Sequence, residues 1–127
     1  MDFKDLKGKT FKHVVIEKSE GENDAICFYL DDEKESGYKL THVQDCCESV
    51  WIEDITGDIE THLQNNEILD AYGSYSEYKE NDREKHGYIE SGTWSFYVIR
   101  TMNDTFTIRF LGESNGYYSE EADIYNL

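Results

Sequence analysis

The stretch "THVQDCCESVWIED" (residues 41–54) places His42, Asp45, Cys46 and Cys47 within six positions. One imidazole, one carboxylate and two thiols form a donor set that suits zinc, which takes nitrogen and sulfur in a tetrahedral shell. His42 and Cys46 are four apart and can face one point where a strand runs into a turn or a first helical turn. Adjacent cysteines diverge on a regular strand, so both reach one ion only where the chain bends, and 44–47 is such a place. Three other chemistries compete for the same residues. A cysteine could pair with His42 as a nucleophile, the two thiols could join as a vicinal disulfide, or either could fill core space as a small hydrophobe.

The surroundings discriminate among these. Nearby acids raise a thiol's pKa and disfavour the thiolate unless a cation is bound, which weighs against free-thiol catalysis and for a metal. The chain has three cysteines, an odd number, and its start, "MDFKDLKGKTF", lacks the apolar stretch of a secretory signal. Both features imply a cytoplasmic, reducing setting and argue against a disulfide. If all four residues bind, no position is left for water and the zinc is structural. Cys27, in the apolar run "AICFYL", reads as core, and His13, His62 and His86 read as isolated surface histidines. His62 alone could approach the cluster from a helix end. The chain shows no Gly-rich phosphate loop and no serine nucleophile elbow. Acid pairs such as Glu53–Asp54 are too common here to single out a glycosidase site. The chain therefore reads as a binding protein without chemistry of its own. A small metal- or thiol-dependent hydrolase is the rival, and a sponge for a small signalling molecule the third reading.

Charge is the strongest global feature. The 127 residues carry a formal net charge of -16. Binding to nucleic-acid phosphates relies on Lys and Arg displacing counterions, so direct DNA or RNA binding is excluded, and an anionic membrane surface is disfavoured for the same reason. A basic protein partner is favoured, although acidity also serves solubility alone. No Lys or Arg lies between Lys39 and Lys79, whereas Asp45, Glu48, Glu53, Asp54, Asp58, Glu60, Glu67, Asp70 and Glu77 all do. An anionic nucleotide would fit badly, since only Arg100 and Arg109 on the sheet, with scattered lysines, could receive it.

The elements that must position these groups are mostly strands, and the length fits a single domain over 1–127. Strands are expected over about 10–18, in "AICFYLD" and in "YKLTHV", with a polar turn at 19–24 between the first two; short connections make them an antiparallel meander. Ile52, Ile55, Ile59 and Leu63 recur at three and four, which predicts a helix face. "EILDAYGSY" reads as a return strand, and 76–92 as a polar loop or irregular hairpin. "TWSFYVIRT" and "DTFTIRFLG" form a hairpin, followed by a glycine turn and a final edge strand. The expected fold is α+β: a single antiparallel sheet of about six strands with one helix packed on one face.

Two stretches, "HVQDCCESVWIEDITGDI" and "GESNGYYSEEAD", together resemble a family of small acidic phage and prophage proteins. The resemblance runs from about Gly8 to the end. It implies an anti-CRISPR protein that contains zinc and inhibits a type II CRISPR effector nuclease, a basic host-defence partner, by blocking target DNA loading in the host cytoplasm. On that resemblance His42, Asp45, Cys46 and Cys47 are the metal ligands. Glu48, Glu53, Asp54, Asp58 and Glu60 are the candidate partner-binding surface. The 76–92 segment matches no part of it.

Overall fold

Residues 1–18 and 23–127 are described by a computed structural model. Residues 19–22, most of the polar turn expected at 19–24, lie outside the described residues. Strands β1 (His13–Glu17), β2 (Ala25–Tyr29) and β3 (Gly37–Thr41) form the expected meander. The chain then crosses to β4 (Ser49–Thr56), the helical turn α1 (Ile59–His62) and β5 (Asp70–Glu77). After the turn α2 (Arg83–His86), the hairpin β6 (Ser91–Arg100) and β7 (Thr105–Ser114) precedes the final strand, β8 (Asp123–Asn126).

The α+β expectation of a single six-stranded sheet with one packed helix is overturned: the described residues are mostly strand, with only short helical turns. The strands divide into two antiparallel sheets of four, ordered β1-β2-β3-β8 and β4-β7-β6-β5. β8 is an edge strand, as read, but it lies against β3. The two sheets close over one core. Alternation sends Val14, Ile26, Phe28, Leu40 and Ile124 inward from the first sheet and Val50, Ile52, Ile99, Phe106, Ile108 and Phe110 from the second. Fully burying each large side chain contributes about 1.5–3 kcal/mol relative to leaving it exposed.

The predicted helix over 52–63 is mostly strand, and the register shows why. Ile52 pairs with Phe110 and Ile55 with Ile108, with a β-bulge between Ile52 and Asp54. The extra residue turns a two-residue alternation into a three-residue step, so both isoleucines face the core at a spacing that imitates a helix. Gly57, at φ +93°, ends the strand, and a Cβ there would meet the Phe106 ring at 2.9 Å. Only then does one helical turn form, capped by the Asp58 side chain accepting from the Thr61 amide.

Both open sides of the sandwich are closed by polar side chains or by the N-terminus. On the free edge of β4, the Ile52 amide donates to Asp24 at 2.8 Å and the Ile52 carbonyl accepts from Lys18 at 3.0 Å. On the free edge of β1, the Ile16 amide donates to Glu60 at 3.0 Å. A 3-10 turn at Phe3–Leu6 seals the opposite side, its Phe3 ring edge-on to Tyr97 at 5.2 Å. Edge groups engaged in this way are not open to another strand. No helix among the described residues is long and apolar enough to cross a membrane. Phe110 is fully buried where the two sheets meet. Phe110→Ala is expected to destabilise the fold by about 3–5 kcal/mol, read from denaturant midpoints.

Candidate functional site

A loop between two strands must satisfy its own amides, and in 42–48 the Glu48 side chain does this. Its carboxylate is fully buried and accepts from the Asp45 amide at 3.0 Å, the Cys46 amide at 2.8 Å and the Gln44 side chain at 3.1 Å. His42 Nε2 lies 2.8 Å from the same group, and His42 Nδ1 lies 2.9 Å from the Glu121 carbonyl. Burial pushes the Glu48 carboxyl up, but the hydrogen bonds from Cys46, His42 and Asp45 outweigh it and hold the group down at about 2.

The second motif stretch folds against the first. β3 ends opposite the start of β8, with Thr41 paired to Asp123, and β4 starts opposite the end of β7, with Ser49 paired to Glu113. Both loops therefore leave one end of the sandwich. Glu120 is buried and accepts from Thr93 at 2.8 Å and from the Ser114 hydroxyl. Gly112 lies under this loop; a Cβ there would fall 2.0 Å from the Glu120 carbonyl oxygen. Two buried carboxylates, Glu48 and Glu120, thus fasten two loops that the sequence keeps far apart. Outside this network Val43 is 59% and Tyr117 83% exposed.

The four expected metal ligands take other roles. His42 is buried with both ring nitrogens facing acceptors, Asp45 is exposed, and Cys46 and Cys47 are joined to each other with their sulfurs 2.09 Å apart. Among the described residues no three His, Cys, Asp or Glu side chains stand where one ion could hold them. The donor set in this arrangement does not fit a tetrahedral zinc. The vicinal disulfide, disfavoured from the odd cysteine count, is the pairing present. That count reflects Cys27, which is buried as expected, donates to Glu17 at 2.9 Å and is pushed up to about 11 by burial and then by that bond.

The five acids expected on a partner surface are dispersed. Glu48 is internal. Glu53 accepts from the Trp51 indole at 2.9 Å and lies 3.7 Å from His86, while Asp54 pairs with Arg109 at 2.5 Å. Asp58 caps α1 and Glu60 caps β1 on another side of the molecule. Each is occupied within the fold, and they do not form one patch.

Sequence reasoning missed a cleft on the outer face of the second sheet. Residues 78–90 fold back over this face and cover Trp94, Leu111 and part of Trp51, with Tyr78 and Ile89 packed inward. Beside this cover lies a cleft of about 460 Å³, lined by Lys79, Lys85, His86, Trp94, Phe96 and Arg109 among others. The lysines had seemed scattered because they belong to the segment with no recognisable motif.

Residues 4–124 match one family, described as "Domain of unknown function (DUF7448)". The chain belongs to that family. No curated protein matches it. No solved structure matches it either.

The Glu48 network makes a definite pH prediction. A carboxyl held at about 2 in the fold, against an ordinary 4.5, adds stability that is fully present above about 4.5 and is lost as pH falls towards 2. Melting temperatures of Glu48→Gln and the wild type are therefore expected to converge as the pH is lowered through that window. A gap that stays constant from pH 6 to 2.5 would contradict it.

Proposed function

We propose that this protein acts by binding alone, as an inhibitor that docks the loop end of the sandwich on a basic protein surface. The observation that carries this reading is the joining of the 42–48 and 115–121 loops by His42, which is held by the buried Glu48 carboxylate and reaches the Glu121 carbonyl, leaving Tyr117 and Val43 exposed beside exposed Asp45 and Glu121. An aromatic on a fixed loop can bury large area at low entropic cost. The surrounding acids, in a chain of net charge -16, favour a cationic target and oppose contact with nucleic acid.

The partner class comes from the resemblance of these two stretches to phage proteins: a type II CRISPR effector nuclease, whose positively charged channel holds guide and target. An anionic body seated at that channel blocks target DNA loading by occlusion. The acids first assigned to the contact are replaced here by Asp45 and Glu121, because Glu48, Glu53, Asp54, Asp58 and Glu60 are engaged within the fold.

Titrating the protein into a purified type II effector with its guide and a labelled DNA target tests this. Cleavage should fall in proportion to added protein and stop near equimolar amounts, with the block relieved by high salt. Tyr117→Ala combined with Asp45→Lys should weaken inhibition by about tenfold or more while the melting temperature holds. Full cleavage at a large molar excess over effectors of several subtypes would overturn the reading. Catalytic destruction of the effector or its guide would overturn it too.

A further inference from the structure

On the face of the sandwich formed by the β4-β7-β6-β5 sheet, basic groups collect around an aromatic floor, against the charge of the rest of the molecule. Arg109 sits on the Trp94 ring, its guanidinium carbon 4.6 Å from the ring centroid. Its position is fixed from the other side by Asp54, which accepts from Nε at 3.2 Å and from the terminal nitrogen at 2.5 Å. Trp94 is fixed in turn, its indole nitrogen donating to Asp82 at 3.1 Å and its ring lying 5.2 Å from His86. The Arg109 side chain is still 28% exposed. A guanidinium held over an indole can offer its outer face as a stacking platform for another planar group.

Lys79 and Lys85 line the same cleft and are exposed. Among the described residues neither has a carboxylate within ion-pair distance. The acids that face them are Asp82 and Glu77. Asp82 already accepts from the Lys79 amide at 2.8 Å and from Trp94. Three of the chain's twelve basic residues therefore converge here. The cleft, of about 460 Å³, lies in the range of sites for small organic ligands.

We infer that this cleft is a binding site for a small aromatic anion of nucleotide size, its ring stacked on Arg109 beside Phe96 and its phosphate received by Lys79 and Lys85. The site is independent of the loop end and of the inhibitor reading. Direct binding to nucleic-acid strands remains excluded by the charge outside the cleft, but a single nucleotide meets only these groups. Both tryptophans belong to this face, so the site carries its own fluorescent reporter.

The experiment titrates the full chain with adenosine, guanosine, cytidine and uridine 5′-monophosphates at low salt, following tryptophan fluorescence and heat release. Inorganic phosphate and the free nucleosides are titrated in parallel. At least one nucleotide should quench fluorescence saturably and bind about tenfold or more tightly than phosphate or its own nucleoside. Lys79→Glu with Lys85→Glu should remove that binding and leave the melting temperature unchanged, since both side chains are exposed. Absence of saturable binding with all four nucleotides would overturn the inference, as would binding that the double charge reversal leaves intact.

Discussion

One buried carboxylate sets the geometry of the loop end. Glu48 stands at the start of β4 and collects donors from Gln44, Asp45, Cys46 and His42. A loop of this kind, running between two sheets, would otherwise leave the Asp45 and Cys46 amides without a partner in the protein. The same histidine reaches the Glu121 carbonyl, so ordering one loop orders the other. A fully satisfied buried network of this sort selects one arrangement of the chain, because any alternative strands a carboxylate or an imidazole.

A similar device recurs where the sheets meet. Asp24 accepts the Ile52 amide with one end of its residue and the Thr41 hydroxyl with its carbonyl, linking β2, β3 and β4. Glu60 closes the free edge of β1. Three of the chain's 28 acids, Asp24, Glu48 and Glu120, are thus spent inside, on donors the backbone does not pair by itself. The remainder covers the surface and keeps an otherwise strand-rich molecule apart from its neighbours. The exception is the outer face beneath residues 78–90, where Lys79, Lys85 and Arg109 gather over tryptophan.

The strands were legible and their assembly was not. Phe106, Ile108 and Phe110 alternate cleanly, and the β6–β7 hairpin and the β1–β2–β3 meander follow from short connections and β-branched residues. The bulge after Ile52 hid a strand behind helical spacing, and without that strand one sheet looked sufficient. At the candidate site the sequence singled out the 42–47 cluster as metal ligands, and the structure arranges those residues differently. His42 and the cysteines resemble metal ligands, but the residue that organises them is Glu48, which reads as one acid among many. Nothing local distinguishes a buried glutamate from a solvated one; only the strand pairing at Ser49 places it under the loop. Lys79 and Lys85 lie far from Arg109 in the chain and meet it only through the fold of 78–90.

The claim on which this account rests is that the Glu48 carboxylate holds the 42–48 loop from within. Amide hydrogen exchange at Asp45 and Cys46, followed by nuclear magnetic resonance at neutral pH, addresses it directly, because both residues are exposed and only their bonds to Glu48 would protect them. Both amides should exchange far more slowly than an unstructured chain, and Glu48→Ala should release them while the β6–β7 amides stay protected. Exchange at the unstructured rate in the wild type would show that the loop is not fastened there, and the account would fall.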